Sequence, residues 1–266
     1  MAVKMTTLCK KLFGSWRKQK PYIRFYSLEP GVLDLFPIVK SSSIKRNFED
    51  TPDYENIPSV ANCPGINKIV SSGWIAVAPA DFIIKTYGDG VKLEWLEPWR
   101  FKNGNPGHES YVSLHGRAQA EPVLDDPADT VKTVVKLETP WRVETSDDVV
   151  LLQMPVAYNN ESRFYAATGI LDTRYGHTLN IQLFWKVMQG ETLVRAGTPL
   201  CQYVPVLRSA LSTSNYDVVI DNATEEDRQK EQEFNYAANC VFLGKDTLAS
   251  RLTRSLKILN KYKKRG

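Results

Sequence analysis

The sequence predicts an all-β protein, built mainly of antiparallel strands, that carries a helical appendage at its C-terminal end. Segments rich in β-branched and aromatic residues follow one another between residues 131 and 206. Turn residues separate these segments about every 10–15 residues, and no helical periodicity lies between them. This combination is typical of an antiparallel barrel or sandwich.

Chain length and composition favour a globular protein divided into three parts. The chain has 266 residues, of which 42% are apolar and 24% charged, close to the averages of globular domains. We expect a basic N-terminal extension over residues 1 to 20, a β-rich core over 21 to 209, and a helical, basic tail over 210 to 266. No run approaches the roughly 18 apolar residues of a membrane-spanning helix, and residues 1 to 20 lack the apolar stretch of a signal peptide. The expected location is therefore cytoplasmic.

The first part of the core is predicted to alternate strands with loops. Strand-forming residues occupy residues 22 to 26, 73 to 79, 82 to 87 and 91 to 96. The last two of these segments flank Gly88-Asp89-Gly90 and predict a hairpin. The proline-containing stretch 41 to 65 and the stretch 97 to 128, rich in glycine and proline, predict loops.

The second part of the chain is predicted to be strands followed by helices. The strands cover residues 131 to 137, 141 to 143, 149 to 154, 165 to 171, 179 to 185 and 200 to 206. Acidic residues that follow Asn222 predict the start of a helix that runs to about Cys240. A second helix is predicted from Asp246, with a leucine stripe and a basic outer face. It could dock on the body, bind a partner or second copy, or lie on a membrane surface.

Charge is concentrated at the two ends of the chain. Residues 1 to 20 hold six basic and no acidic residues, and residues 245 to 266 hold eight basic residues and one aspartate. Since the net charge is +4, residues 21 to 244 carry a net −9. This distribution describes basic ends on an acidic body, so nucleic acid could be bound through the termini but not along a basic face of the core.

The cysteines and histidines narrow the possible chemistry. The four cysteines are widely spaced and form no C-x-x-C pair, which argues against a zinc ribbon or a dithiol redox site. We interpret them as unpaired thiols. With only three histidines, a histidine-rich metal cage or a Ser/His/Asp triad has few candidate residues.

The most informative motif begins at Thr168. The sequence Gly169-Ile-Leu-Asp172-Thr-Arg-Tyr175 is followed by an alternating strand and then by Gly197-Thr-Pro-Leu-Cys-Gln202. These segments resemble the second half of the dUTPase and dCTP deaminase core. In that family the aspartate activates a water, the tyrosine stacks on the base and the glutamine contacts a phosphate. The resemblance therefore implies Asp172 as a catalytic residue and Gly169, Tyr175 and Gln202 as ligand-binding residues.

Two elements of the dUTPase-like pattern are missing. The family's phosphate-gripping Pro-Arg-Ser-Gly segment should lie near residues 151 to 155, where this sequence reads Leu-Leu-Gln-Met-Pro. The glycine-rich C-terminal arm that closes over the nucleotide is replaced by a basic tail. Triphosphate binding needs several charged hydrogen bonds, each worth roughly 1.5–3 kcal/mol, so these losses disfavour nucleotide hydrolysis.

A second resemblance covers roughly residues 22 to 208. The opening strand, the Gly73-Trp74 strand that ends at Pro79, the Thr139-Pro-Trp141 element and the Gly169 and Gly197 motifs resemble an uncharacterised domain family of phages and bacteria. This resemblance implies a dUTPase-like β-clip core and a phage-encoded protein. The location could then be the host cytoplasm or a virion, and the homotrimers common in dUTPase-like folds suggest a homo-oligomer.

Three functions follow from these observations. The leading hypothesis is a non-enzymatic structural or interaction protein that uses the β-clip core as a scaffold, binds a protein partner and needs no cofactor. The alternatives are a module that binds a nucleotide or small ligand through Tyr175, Gln202 and Gly169, and a divergent nucleotide hydrolase that uses Asp172. Mg²⁺ would be required only for the hydrolase.

Overall fold

The computed structural model of the chain describes residues 20–28, 31, 33–50, 59–97, 110–176, 178–240 and 253. Within this part the chain is mostly antiparallel strand, which confirms the predicted all-β character of the core. Most of the basic N-terminal extension and the predicted helix from Asp246 lie outside the described residues.

The strands of the described residues are numbered in chain order. They are β1 Ile23–Ser27, β2 Ile38–Lys40, β3 Trp74–Val77, β4 Phe82–Tyr87, β5 Leu93–Leu96, β6 Val112–His115, β7 Val134–Thr145, β8 Val149–Met154, β9 Phe164–Ala166, β10 Gly169–Leu171, β11 Thr178–Trp185, β12 Gln189–Val194 and β13 Pro199–Leu207. The predicted hairpin around Gly88-Asp89-Gly90 is confirmed, because β4 and β5 pair through it.

These strands form three sheets, and every pairing between them is antiparallel. Sheet 1 has the order β1-β7-β11-β9, with β6 also paired to β7. Sheet 2 has the order β10-β8-β13-β3-β2, and sheet 3 the order β12-β4-β5. Of the two predicted arrangements, the closed barrel is not formed by the described strands, because each sheet ends in open edge strands.

One apolar core is shared by the three sheets. Leu137 and Trp185 enter it from sheet 1, Tyr203 from sheet 2 and Phe82 from sheet 3, and all four are almost fully buried. Trp141 is also buried, and its indole Nε1 donates a hydrogen bond to the carbonyl of Phe36 at 2.7 Å. Burial of this apolar area is the main force that holds the sheets together.

The described helices are α1 Pro64–Val70, α2 Arg117–Ala120 and α3 Glu225–Cys240. Helix α3 confirms the helix predicted to end near Cys240, and its start is capped as the sequence suggests. The Thr224 hydroxyl accepts the Asp227 amide at 3.2 Å, and the Asp227 carboxylate accepts the Thr224 amide at 2.9 Å. Helix α1 lies partly in a stretch predicted to be loop. None of the described helices is long and apolar enough to cross a bilayer.

Gly73 marks the closest backbone approach in sheet 2. Its φ is +72°, a value that favours glycine, and a Cβ at this position would lie 1.9 Å from the carbonyl oxygen of Tyr203. Only a residue without a side chain fits here. Gly73 therefore lets β3 enter the sheet directly beside the buried strand β13.

Candidate functional site

The aspartate of the predicted site stands where edge strand β10 ends. The chain turns immediately after Leu171, and the amides of Tyr175 and Gly176 donate to the Asp172 carbonyl at 2.9 and 3.2 Å. The Asp172 carboxylate in turn accepts the Arg174 amide at 3.1 Å. Such a side-chain bond to the backbone two residues on is an Asx turn, which aspartate forms readily.

Two arginines flank the Asp172 carboxylate. The Arg174 guanidinium binds both carboxylate oxygens, with Nη2 at 2.7 Å from Oδ2 and Nε at 3.1 Å from Oδ1. Arg208, just after β13, binds the same two oxygens, with Nη2 at 3.0 Å from Oδ1. We call these three residues the charged corner. The hydrogen bonds from Arg174 and Arg208 hold the pKa of the Asp172 carboxyl well below its usual range.

The charged corner also ties the end of β13 to the start of β8. The Arg208 amide donates to the carbonyl of Asp148, and its Nε donates to the carbonyl of Asp147, both at 2.8 Å. Asp172 is therefore a shared anion that joins β10 to the end of β13. A carboxylate with a lowered pKa is also a weak general base, which is the opposite of what water activation requires.

The other two residues of the Gly169 motif lie on the surface. The Tyr175 side chain is 86% exposed, and the Arg174 guanidinium lies 5.4 Å from its ring centroid. Gly169, the first residue of β10, is also exposed and has open space where a Cβ would stand. A base stacked on Tyr175 would therefore lie at the protein surface, in contact with solvent.

Gln202, by contrast, is completely buried in the middle of sheet 2. Its Nε2 donates to the carbonyls of Ile69 and Ser72 at 2.9 and 2.8 Å, and its Oε1 accepts the Ala157 amide at 3.1 Å. Both donor hydrogens of the amide are used. The side chain thus joins the end of α1 and the loop after β8 to the sheet, and it presents no donor to a phosphate.

Strand register keeps Asp172 and Gln202 apart. Leu171 pairs with Leu151, which pairs with Pro205 on β13, so Asp172 is level with the C-terminal end of β13. Gln202 lies about four residues away along the strand, or roughly 13 Å, and two strands across, or roughly 10 Å. The structure therefore does not bring together the catalytic and phosphate-binding residues that the resemblance implies.

A pocket of about 270 Å³ lies at the loop after β8, next to the Ala157 amide that Gln202 binds. Phe164, Tyr165 and Leu200 are among its lining side chains, and the loop residues Tyr158 and Asn160 adopt positive φ values of 55° and 54°. Among its lining residues the charged side chain is Glu161, which forms an ion pair of 2.6 Å with Arg163. No lysine or arginine is among the described lining residues, so the pocket offers no cationic side chain of its own to a phosphate.

Metal and thiol chemistry find little support in the described part of the chain. There, no three side chains of His, Cys, Asp or Glu cluster as metal ligands would. Cys63 and Cys201 are free thiols, in agreement with their interpretation from sequence. Burial raises the pKa of the Cys201 thiol to about 12, so this cysteine is not a nucleophile at neutral pH.

A second exposed feature follows the charged corner. Short 3-10 turns over Arg208–Leu211 and Thr213–Asn215 carry the chain away from β13, and the chain then continues without helix or strand to helix α3. We define residues 212 to 224 as the C-terminal arm. It contains three consecutive β-branched residues that are strongly exposed: Val218 at 72%, Val219 at 77% and Ile220 at 94%.

The arm makes few contacts with the rest of the described chain. Tyr216 closes the second 3-10 turn through its amide, and Thr224 caps α3. Residues 217 to 223 form no hydrogen bond with any described residue. The apolar side chains and the backbone groups of this stretch are thus both left to solvent.

Sequence reasoning missed Arg208 and the arm. Arg208 falls at a strand end, where one basic residue carries no signal, and its partner Asp172 is 36 residues away. The arm did carry a signal, because Val218-Val219-Ile220 is a strand-forming run placed after the last strand of the sheets.

No family model matches the chain, and no curated protein matches it in sequence.

Proposed function

We propose that the chain is a non-enzymatic interaction protein. In this proposal the three sheets form a body of the dUTPase-like β-clip type, which presents the C-terminal arm to a protein partner. The observation that carries this proposal is the exposure of Val218, Val219 and Ile220 beside unpaired backbone. The phage origin implied by the sequence resemblance fits such a role and stays a prediction.

The residues of the dUTPase-like motif support a scaffold role. Asp172 is neutralised by two guanidiniums, Tyr175 is open to solvent, and the donors of Gln202 are taken by backbone carbonyls. The contacts of Asp172 and Gln202 stabilise the sheets that they join. A nucleotide would have to break the ion pairs of Asp172 and the buried hydrogen bonds of Gln202 before these side chains could reach it.

The arm has the properties of a segment that pairs with another protein. β-Branched residues fit a pleated, half-buried surface, and unpaired backbone groups supply the hydrogen bonds of strand addition. The sequence around it is acidic, since residues 217 to 227 contain five acidic and no basic residues. This charge disfavours nucleic acid at the arm and favours a partner surface that is apolar with a cationic rim.

The enzymatic alternatives are tested with nucleotides. The full chain is incubated with dUTP or dCTP and Mg²⁺, and product release and Tm are measured. We expect no turnover above background and no Tm increase with either nucleotide, because the two arginines beside the motif are bound to Asp172 and the Gln202 donors are bound to backbone carbonyls. Turnover in the typical range of about 1–10³ s⁻¹ that Asp172→Asn abolishes would overturn the proposal.

The role of the arm is tested by hydrogen exchange on the dilute, purified chain. Amides of residues 217 to 223 should exchange at the rate of unstructured peptide, because they have no described hydrogen-bond acceptor. The amides of β13 serve as the internal control and should be strongly protected. Protection of the arm in the dilute chain would mean that the arm rests on its own body, which would contradict its role as a free contact segment.

A further inference from the structure

A strand edge close to the start of the arm is open. Strand β10 is the outermost strand of sheet 2 and, among the described strands, pairs only with β8. Its residues Gly169, Ile170 and Leu171 carry no charge, and Ile170 is 44% exposed. Natural proteins limit pairing at an edge with a short strand, a charged residue, a proline or a bulge; β10 is short, with three residues, but has none of the other three features.

The arm and the β10 edge complement each other in structure. The arm offers an unpaired stretch of β-branched residues, and β10 offers unpaired backbone beside an exposed Ile170. In an extended arm Val218 and Ile220 point to one side and Val219 to the other. One side can therefore pack beside Ile170 while the arm backbone pairs with β10.

The chain leaves β13 toward the arm at the same end of sheet 2 at which β10 ends. Strands β10 and β13 are both antiparallel to β8 and so run in the same direction, and Arg208 at the end of β13 binds Asp172 at the end of β10. The arm of one chain therefore leaves from the corner at which its own acceptor edge ends. When two copies meet at this corner, each arm lies next to the edge of the other copy.

Chain length allows this contact. From Leu211 to Val218 the chain covers seven residue steps, which span at most about 25 Å once the 3-10 turn over Thr213–Asn215 opens. That length crosses from the corner of one copy to a neighbouring edge strand. In the structure of the single chain the arm does not lie on its own edge, since Val218, Val219 and Ile220 are all strongly exposed.

Charge at the corner matches charge on the arm. Arg174 and Arg208 share the single carboxylate of Asp172, the charge of Asp147 also acts on Arg174, and the Arg174 side chain is half exposed. The apolar run of the arm is flanked by Asp217 and Asp221. An arm seated along β10 of another copy brings its aspartates close to the half-exposed guanidinium of Arg174, with which they can form ion pairs.

We infer that the partner of the arm is a second copy of this chain, and that residues 217 to 221 add a strand to the free edge of β10 in that copy. This inference rests on the proposed function and names its partner. The same contact can close as a two-fold pair or, head to tail, as the trimer that the sequence resemblance implies.

A mixed cross-link tests the inference on the full chain. Cys9, Cys63 and Cys240 are replaced by serine, and the buried Cys201 is kept. Ile170→Cys and Val219→Cys are introduced into separate batches of this background, which are mixed at equal concentration and treated with a short bismaleimide. We expect cross-linked dimer in the mixture at a yield at least tenfold above that of either batch alone.

A matched control replaces Val219→Cys with Val123→Cys. Val123 is also an exposed valine, at 61%, but it lies before β7 and outside the arm. Mixed with Ile170→Cys it should give only background dimer. A yield from the Val219 mixture that does not exceed this control would overturn the inference, as would a cross-link that forms only within one chain when both cysteines are combined.

Association without cysteines provides a second measurement. In light scattering at rising concentration, the wild type should exceed the mass of one 30.1 kDa chain. Val218→Asp with Ile220→Asp, and separately Ile170→Lys, should raise the concentration needed for association at least tenfold, whereas Val123→Asp should not. A chain that stays monomeric at every concentration would overturn the inference. The proposed function would then still stand, because it fails only through nucleotide turnover or an arm protected in the dilute chain.

Discussion

Strand β13 and the arm that follows it contain similar apolar residues, but these are buried in the first half of β13 and exposed in the arm. Within β13, Leu200, Cys201, Gln202 and Tyr203 are buried between neighbours on both sides, and the polar groups of Gln202 are satisfied. About fifteen residues later, Val218 and Ile220 are exposed with no described backbone partner. The three sheets would lose stability if such contacts were removed, whereas residues 217 to 223 form no hydrogen bond with any described residue. Apolar residues that folding does not use indicate a contact made with another molecule.

The largest loss of stability is expected at Gly73, where the backbone of Tyr203 leaves no space for a side chain. Gly73→Ala introduces a Cβ that would lie 1.9 Å from the Tyr203 carbonyl oxygen, at a φ of +72°. We expect a loss of unfolding free energy of about 4 kcal/mol or more, or failure to fold. Urea unfolding followed by circular dichroism measures this change.

Gly65→Ala is the matched control for Gly73→Ala. Gly65 lies in the first turn of α1 with nothing within 4 Å of an added Cβ. Its replacement should be neutral or stabilising by up to about 1 kcal/mol, because alanine is the better helix former. Equal stability of the two variants would contradict the close approach of β3 to β13.

A somewhat smaller loss is expected at Gln202. Gln202→Leu keeps the apolar part of the side chain but leaves the carbonyls of Ile69 and Ser72 and the amide of Ala157 without this partner. We expect the unfolding free energy to fall by about 2–4 kcal/mol. Gln189→Leu, at an exposed position of β12, should change it by less than about 0.5 kcal/mol. If Gln202→Leu left stability unchanged and abolished binding of a nucleotide, the ligand-binding role of Gln202 would be supported instead.

Asp172→Asn should have a moderate effect. The substitution keeps the shape of the side chain but leaves Arg174 and Arg208 facing each other without their shared carboxylate. We expect a Tm lower by about 2–4 °C, the size of shift that loss of one local capping interaction causes in a protein of this length. Asp217→Asn in the arm is the control and should leave Tm unchanged. A stabilised Asp172→Asn variant that loses a bound nucleotide would refute the structural role.

The effect of Asp172→Asn should also depend on pH. The pKa of Asp172 is lowered in the folded state, so its stabilising contribution is present above the pKa of an unfolded aspartate, near 3.9. That contribution declines as pH falls below this value toward the lowered folded pKa. The Tm difference between wild type and Asp172→Asn should therefore be smaller at pH 3 than at pH 7. A difference that grows on acidification would contradict the ion pairs of the charged corner.

The smallest effect on stability is expected in the arm. Val218→Asp combined with Ile220→Asp changes two side chains that are 72% and 94% exposed, so Tm measured at low protein concentration should shift by no more than about 2 °C. The same valine-to-aspartate change at Val150, which is 1% exposed, should prevent folding. A large loss of Tm in the arm variant would show that the arm packs on the body.

The antiparallel character of the body could be predicted from sequence because it depends on local signals. The hairpin at Gly88-Asp89-Gly90 and the cap of α3 at Thr224 are short-range patterns, and both are confirmed. Helix α1 was missed because it has seven residues, too few for periodicity to show. The contact of Asp172 with Arg208 and that of Gln202 with Ile69 join residues 36 and 133 positions apart, which no local pattern encodes.

The position of β13 determines how a load on the arm would be carried. β13 lies in the middle of sheet 2, bonded to β8 on one side and β3 on the other, and the arm continues from its C-terminal end. Antiparallel hydrogen bonds lie perpendicular to the strands, so tension along the arm loads many of them together in shear rather than one after another. A chain tethered through this arm would thus resist unfolding at its attachment point. Arg208, which binds Asp172 and the carbonyls of residues 147 and 148, lies closest to the arm and would bear the load first.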